Sequence, residues 1–230
     1  MQTCLILAGG LGTRLRGVIH DRPKCLAPVG DRTFLDIQME RLAEAGVTDF
    51  VLSLGHGAQL VIEWLERNPA PVPVRYAVER EPLGTGGAIA NALAAFGLVE
   101  TLVANGDTYL DGDLATMLLP LDRQRHELFR MATVSVPDRH RFGGVECNAA
   151  GRVERFLEKG RHDSGPINAG LYRLCDAAIP KGRTGAFSLE HDVLPSLVEA
   201  GSVTVAAVSG TFIDIGVPAD YQRFRAEHAG

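Results

Sequence analysis

From residue 3 to about residue 105 the chain alternates short, wholly apolar runs with stretches whose apolar residues recur at helical spacing, and this rhythm restricts the fold more than any other feature. The apolar runs cover 4–8, 50–54, 74–78 and 101–104; the helical stretches cover 34–45, 60–65 and 88–96. A strand apolar at every position must be covered on both faces, so the pattern predicts an α/β fold. Its sheet is expected to be Rossmann-like, mixed but mostly parallel, with helices on both faces and right-handed crossovers. Thr33 and Asp36 are spaced as a capping box for the first helix, and Gly46 follows its last apolar position. Leu60, Val61, Trp64 and Leu65 form one apolar stripe of the second helix, read as core. After residue 128 strands are expected at 131–136, 144–147, 153–157 and 167–174, then a helix over 189–198, a strand over 203–208 and a closing helix after Pro218. No repeat or linker divides the chain, so residues 1–230 are read as one domain.

The first apolar run ends in Leu7-Ala8-Gly9-Gly10-Leu11-Gly12-Thr13-Arg14-Leu15. Glycines let backbone N–H groups approach a phosphate unobstructed, and Arg14 adds a charge-assisted contact. An ordinary tight turn after a strand is the plainer alternative. The loop lacks the Lys of a P-loop, and a dinucleotide fingerprint starting at Gly10 would put its third glycine on Leu15. Ten residues on, Arg22-Pro23-Lys24-Cys25-Leu26-Ala27-Pro28 holds Lys24 between two prolines, stiffer than a surface lysine requires.

Charge and composition exclude several functions. With 46% hydrophobic and 22% charged residues the chain is globular, and a net charge of −5 argues against a nucleic-acid partner. No apolar run approaches the roughly 20 residues of a membrane span, and the amino terminus lacks the basic start of a signal peptide. The four cysteines, Cys4, Cys25, Cys147 and Cys175, form no C-x-x-C pair; reduced thiols and a cytoplasmic location are expected. The seven histidines form no zinc pattern and are read as structural, with His56 at a strand end left open as a substrate contact.

Together, Gly9-Gly10-Leu11-Gly12-Thr13-Arg14-Leu15 and Pro23-Lys24 resemble the sugar-1-phosphate nucleotidyltransferases. Five further stretches follow in that family's order: Glu81-Pro82-Leu83-Gly84-Thr85-Gly86-Gly87, similar to its base-binding loop; Asn105-Gly106-Asp107, similar to its metal-binding strand end; Glu158-Lys159, similar to its sugar-binding pair; Asn168-Ala169-Gly170; and Phe212-Ile213-Asp214-Ile215-Gly216. Cys25 stands where the family usually has proline, a change expected to alter stiffness rather than chemistry. The stretch from Phe212 to Pro218, with Asp220-Tyr221, looks most like the guanylyltransferases acting on D-glycero-α-D-manno-heptose 1-phosphate. The resemblance implies a nucleotide-binding half over about 1–110 and a sugar-binding half over about 111–230. It implies GTP and a sugar 1-phosphate as substrates, a GDP-sugar and pyrophosphate as products, Mg2+ as cofactor and a homodimer as a possible assembly.

Such a reaction joins two anions, so it needs fixed positive charge and positioning more than a protein nucleophile. Arg14, Lys24 and Asp107 are the candidate catalytic residues. Ala8, Gly9, Gly10, Gly12, Thr13 and Arg14 are assigned to the β- and γ-phosphates, Lys24 to the α-phosphate, and Gly84, Thr85 and Asn105 to the rest of the nucleotide. Gly106, Glu158, Lys159, Asn168 and Gly170 are assigned to the sugar phosphate. Mg2+ favours one or two carboxylates; Asp107 and Asp214, each within two residues of a glycine at an apolar strand end, are assigned to it, although either alone could merely cap a turn. Asp111-Gly112-Asp113 offers a rival D-x-D metal site, against which Asp113 is read as the N-cap of a helix at Leu114; Ser188 is likewise read as an N-cap. Guanine presents N1–H and an amino group side by side, donors that one carboxylate can accept together. Glu81 is the first candidate reader and Glu79 the second, with an ordinary surface glutamate the alternative. Mannose 1-phosphate or another nucleoside triphosphate remains open as substrate. A glycosyltransferase of related fold and a non-catalytic nucleotide-sugar sensor are the rival functions; the first would need no grip on a triphosphate, and the second would release no pyrophosphate.

Overall fold

The computed structural model describes residues 1–10, 19 and 22–229. Its centre is a nine-stranded sheet. Strands β1 (Thr3–Ala8), β4 (Asp49–Leu54), β5 (Val74–Val78) and β6 (Glu100–Asn105) form a parallel block in the order β6-β1-β4-β5. The carboxy-terminal half extends it through β11 (Gly165–Cys175), antiparallel to β6 and to β8 (Phe129–Val136); β12 (Val203–Ala207) pairs parallel to β8. A hairpin-like pair, β9 (Gly144–Cys147) and β10 (Val153–Leu157), closes that edge. Seven of the nine strands point one way and only β10 and β11 oppose them, giving the mixed, mostly parallel sheet that the apolar rhythm predicts.

Side chains alternate across the strands, and both faces are buried. On one face Cys4, Ile6, Phe50, Leu52 and Leu54 pack with Leu35, Met39 and Leu42 of helix α1 (Phe34–Glu44) and Val61 of α2 (Ala58–Arg67). On the other, Leu5, Val51 and Val103 pack with Ile89, Ala92 and Leu93 of α3 (Gly84–Phe96), and with Leu194 and Leu197 of α5 (Leu194–Glu199). Each of the Leu, Ile, Val, Phe and Met side chains removed from water contributes about 1.5–3 kcal/mol. The Thr33–Asp36 capping box forms at the start of α1. In α2 the stripe is narrower than expected, because Leu60 is 42% exposed.

Two short strand pairings escaped the sequence pattern. β7 (Thr108–Gly112) and β13 (Gly210–Asp214) form a separate antiparallel ribbon, covered by the closing helix α6 (Pro218–His228) through Tyr109, Ile213, Ile215, Tyr221 and Phe224. β2 (Pro28–Val29) and β3 (Arg32–Thr33) make a two-residue hairpin. α4 (Ala115–Leu118) starts one residue later than expected: Leu114 is its N-cap, and Asp113 Oδ1 still accepts from the Ala115 amide at 2.8 Å. Ser188 caps a π-helical turn (Leu189–Val193), its hydroxyl accepting from the His191 amide at 3.1 Å.

Candidate active site

Ligands of open α/β sheets bind beyond the carboxyl ends of the strands. Here two cavities lie at those ends, one of about 370 Å³ and one of about 920 Å³. Both are lined by Lys24, Asn105 and Asp107, so these three residues stand on the border between them.

Lys24 opens a single 3-10 turn (Lys24–Leu26) behind Pro23. Cys25 and Leu26 are buried beneath it, which fixes the backbone and leaves the ammonium facing the border. Its Nζ lies 2.7 Å from Asp107 Oδ2. Asp107 follows β6 in a tight turn held by Gln38, whose Nε2 donates to the Asn105 carbonyl at 2.8 Å and the Thr108 carbonyl at 2.7 Å. Asp214 ends β13 opposite Thr108, and the Ile215 amide donates to the Asp107 carbonyl at 3.0 Å. Gly216 leaves the space where these groups meet. A Cβ there would stand 2.7 Å from Asp214 Oδ1, 2.8 Å from Lys24 Nζ and 3.6 Å from Asp107 Oδ2. Two carboxylates beside that gap supply the one or two protein oxygens by which Mg2+ is commonly held, water and phosphate oxygens completing its shell, so the residues present fit such an ion.

The smaller cavity gathers Ala8, Gly9, Gly10, Glu79, Gly84, Thr85, Asn105 and Gly106 with Lys24 and Asp107. Gly12, Thr13 and Arg14, three residues of the glycine loop assigned to phosphate, lie outside the described residues. Glu81, the first candidate for reading the base, is exposed and does not line the cavity; Glu79 does. Ser53 Oγ donates to Glu79 Oε1 at 2.9 Å and the Leu83 amide to Oε2 at 3.1 Å, so the carboxylate is held in one orientation. The stretch 84–87 is the first turn of α3 rather than a loop. Its glycines serve packing: a Cβ on Gly84 or Gly86 would strike Phe187 at 2.6 or 2.4 Å. Thr85 is engaged as well, donating to Glu190 Oε2 and accepting from the Leu189 amide, both at 2.8 Å.

The larger cavity gathers Glu158, Lys159, Asn168, Gly170 and Asp214. Gly106, assigned to the sugar, instead lines the smaller cavity, because its amide donates to the Leu7 carbonyl at 3.0 Å and so pins the turn against β1. Asn168 is oriented on both sides: its Nδ2 donates to Tyr172 Oη at 2.8 Å, and its Oδ1 accepts from the Gly170 amide at 2.9 Å. Glu190, His191, Phe142 and Tyr172 also line this cavity and were not singled out in sequence. Glu190 follows Ser188 in an ordinary capping pattern, and nothing local sets it apart. Gln38 had a usable signal, a polar residue within the otherwise apolar Ile37-Gln38-Met39 step of a buried helix face.

The rival D-x-D has other duties. Asp111 pairs with Arg41 at 3.3 Å and Asp113 holds the Ala115 amide. Cys25 lines the smaller cavity, but burial, with the Asp107 charge adding, pushes its thiol up to about 12, so it stays protonated. All four cysteines are free, and His56 is exposed and outside both cavities.

Among known proteins, D-glycero-alpha-D-manno-heptose 1-phosphate guanylyltransferase of Campylobacter jejuni is 34% identical over 96% of this chain and 97% of its own length. Mannose-1-phosphate guanylyltransferase of Mycobacterium tuberculosis is 33% identical over 97% of this chain, which spans 63% of that protein. The crystal structure of HddC from Yersinia pseudotuberculosis complexed with GMP-PN superposes with a TM-score of 0.87 at 36% identity, covering 99% of both chains. No helix among the described residues is long and apolar enough to cross a membrane. The family model for nucleotidyl transferases matches residues 3–229, and with that match over nearly its whole length the chain belongs to the nucleotidyl transferase family.

Proposed function

We propose that this chain transfers the guanylyl group of GTP to a sugar 1-phosphate, with D-glycero-α-D-manno-heptose 1-phosphate as the sugar and mannose 1-phosphate as the alternative. One observation carries the reading: a nucleotide-sized cavity and a larger, more polar one share Lys24, Asn105 and Asp107 as their common wall. Two anionic substrates seated on either side would meet at that wall. An oxygen of the sugar phosphate attacks the α-phosphorus, the bond to the bridging oxygen breaks, and pyrophosphate leaves with the electron pair. Lys24 neutralises charge on the α-phosphate, where a fixed cation is worth more in the transition state than in the ground state. Amides of Gly9 and Gly10, with Arg14 by resemblance, hold the leaving phosphates. Asp107 and Asp214 would hold Mg2+, which supplies further charge neutralisation when bound. Lys159 binds the sugar phosphate, while Glu158, Asn168 and the open face at Gly170 receive ring hydroxyls. Glu79, fixed by Ser53 and Leu83, accepts from the paired N1–H and amino donors of guanine. The names of the relatives support guanine and heptose, and the free thiols suit a reducing cytoplasm.

Pyrophosphate release measured for four nucleoside triphosphates crossed with heptose, mannose and glucose 1-phosphates tests this. GTP with the heptose phosphate gives the highest kcat/KM, and Asp107→Ala or Asp214→Ala lowers turnover by about 100-fold or more without loss of folding. A preference for UTP or dTTP, or turnover undiminished by a strong chelator, overturns the assignment.

A further inference from the structure

Away from the two cavities, Asp138, His140 and His162 bring three donor atoms to one point. We infer that they form a second metal site, for a late first-row divalent ion such as Zn2+. Asp138 Oδ2 lies 3.1 Å from His162 Nδ1 and 3.3 Å from His140 Nδ1, and all three donors fall within 4.8 Å of one another. Ligands about 2.0–2.1 Å from a tetrahedral Zn2+ stand about 3.3–3.4 Å apart, so two edges of that polyhedron are already nearly drawn. The imidazole rings stack at 4.7 Å with 13° between their planes, so a shared ion, which must lie near the plane of each ring it binds, requires one of the two exposed rings to turn about its side-chain torsions. Two imidazoles and one carboxylate suit Zn2+, Ni2+ or Cu2+, whereas Mg2+ prefers oxygen alone. The donors are exposed, which leaves the remaining coordination positions to water.

The donors come from two segments that are already tied together. Arg139 grips Asp163 with two hydrogen bonds, Nε to Oδ1 at 2.6 Å and Nη2 to Oδ2 at 2.8 Å. The Gly160 amide donates to the His140 carbonyl at 2.8 Å. An ion would therefore find the two segments already joined, and need only turn one exposed imidazole to bind. It would also clamp segment 137–143, which supplies Phe142 and Gly143 to the larger cavity, against segment 158–163, which supplies Glu158 and Lys159.

Calorimetric titration of the metal-stripped full chain with ZnCl2, in excess Mg2+, tests the site. One equivalent is expected to bind. His140→Ala/His162→Ala should weaken binding by about 100-fold, and His162→Ala alone by about tenfold or more. Asp107→Asn/Asp214→Asn should bind Zn2+ as the wild type does. His162 is 73% exposed at its side chain, so the single variant decides the matter should the double variant misfold. Hydrogen exchange over 137–143 and 158–163 should slow on adding Zn2+ to wild type and stay unchanged in the double variant. Equal Zn2+ affinity in wild type and His162→Ala, or no binding at 1:1 stoichiometry by the wild type, overturns the site; tight binding with unaltered exchange overturns the clamp.

Discussion

Gly216→Ala separates catalysis from folding more cleanly than removing a charged residue. The backbone at Gly216 lies outside the left-handed region, so alanine can adopt it. The added methyl meets atoms of the site instead: 2.7 Å from Asp214 Oδ1 and 2.8 Å from Lys24 Nζ. For ordinary contact at about 3.4 Å, the carboxylate must retreat by roughly 0.7 Å and the ammonium by roughly 0.6 Å. A displacement of about 1 Å costs on the order of 100-fold in rate. The expected loss in kcat is therefore about 10- to 100-fold, or about 1.4–2.7 kcal/mol of barrier. Pyrophosphate release under saturating substrates reads the rate, and thermal unfolding should shift by no more than about 2 °C. Gly97→Ala is the opposite case. Gly97 caps α3 at φ +62° in open space, so alanine costs about 1–2 kcal/mol of stability and leaves kcat alone. Full turnover by Gly216→Ala, or a fall in Tm that accounts for its lost activity, would refute the reasoning.

Three further outcomes follow from the geometry. Glu79→Gln should narrow the kcat/KM ratio of GTP over ATP by about tenfold or more, while Glu81→Gln leaves it unchanged; the reverse pattern would return base reading to Glu81. Under native conditions iodoacetamide should label the half-buried Cys147 first and spare Cys4 and Cys25, whose thiols burial pushes up, Cys25 to about 12; prompt labelling of Cys25 would mean that its turn opens. Burial alone would raise the Glu127 carboxyl, but hydrogen bonds from Arg130, Thr204 and the Asp122 amide outweigh it and hold the group below its ordinary value of 4.5. That stabilisation is complete above pH 4.5 and is lost as pH falls through the depressed native value. Glu127→Gln, which leaves the Arg130 guanidinium buried without its counter-charge, should therefore lower stability by about 3 kcal/mol at pH 7. The gap between variant and wild type in acid unfolding should shrink below pH 4.5.

The alternation of wholly apolar runs with helical stretches determined the sheet, its parallel block and the helices on both faces, because burying both faces of a strand admits few other solutions. The capping box at Thr33 and the N-cap at Ser188 were likewise legible, since each depends on residues three positions apart. The β7–β13 ribbon was not. Its strands are about 100 residues apart, and their pairing is a tertiary contact that no local period announces. The same reason explains the site. Sequence order could name Lys24, Asp107 and Asp214, but only folding brings Lys24 Nζ to 2.7 Å from Asp107 and sets both beside Gly216. Glu79 and Glu81 are two residues apart in the bend between β5 and α3, where no strand or helix period assigns a face. Folding places Glu79 in the cavity wall, its carboxylate held by Ser53 and Leu83, and leaves Glu81 exposed.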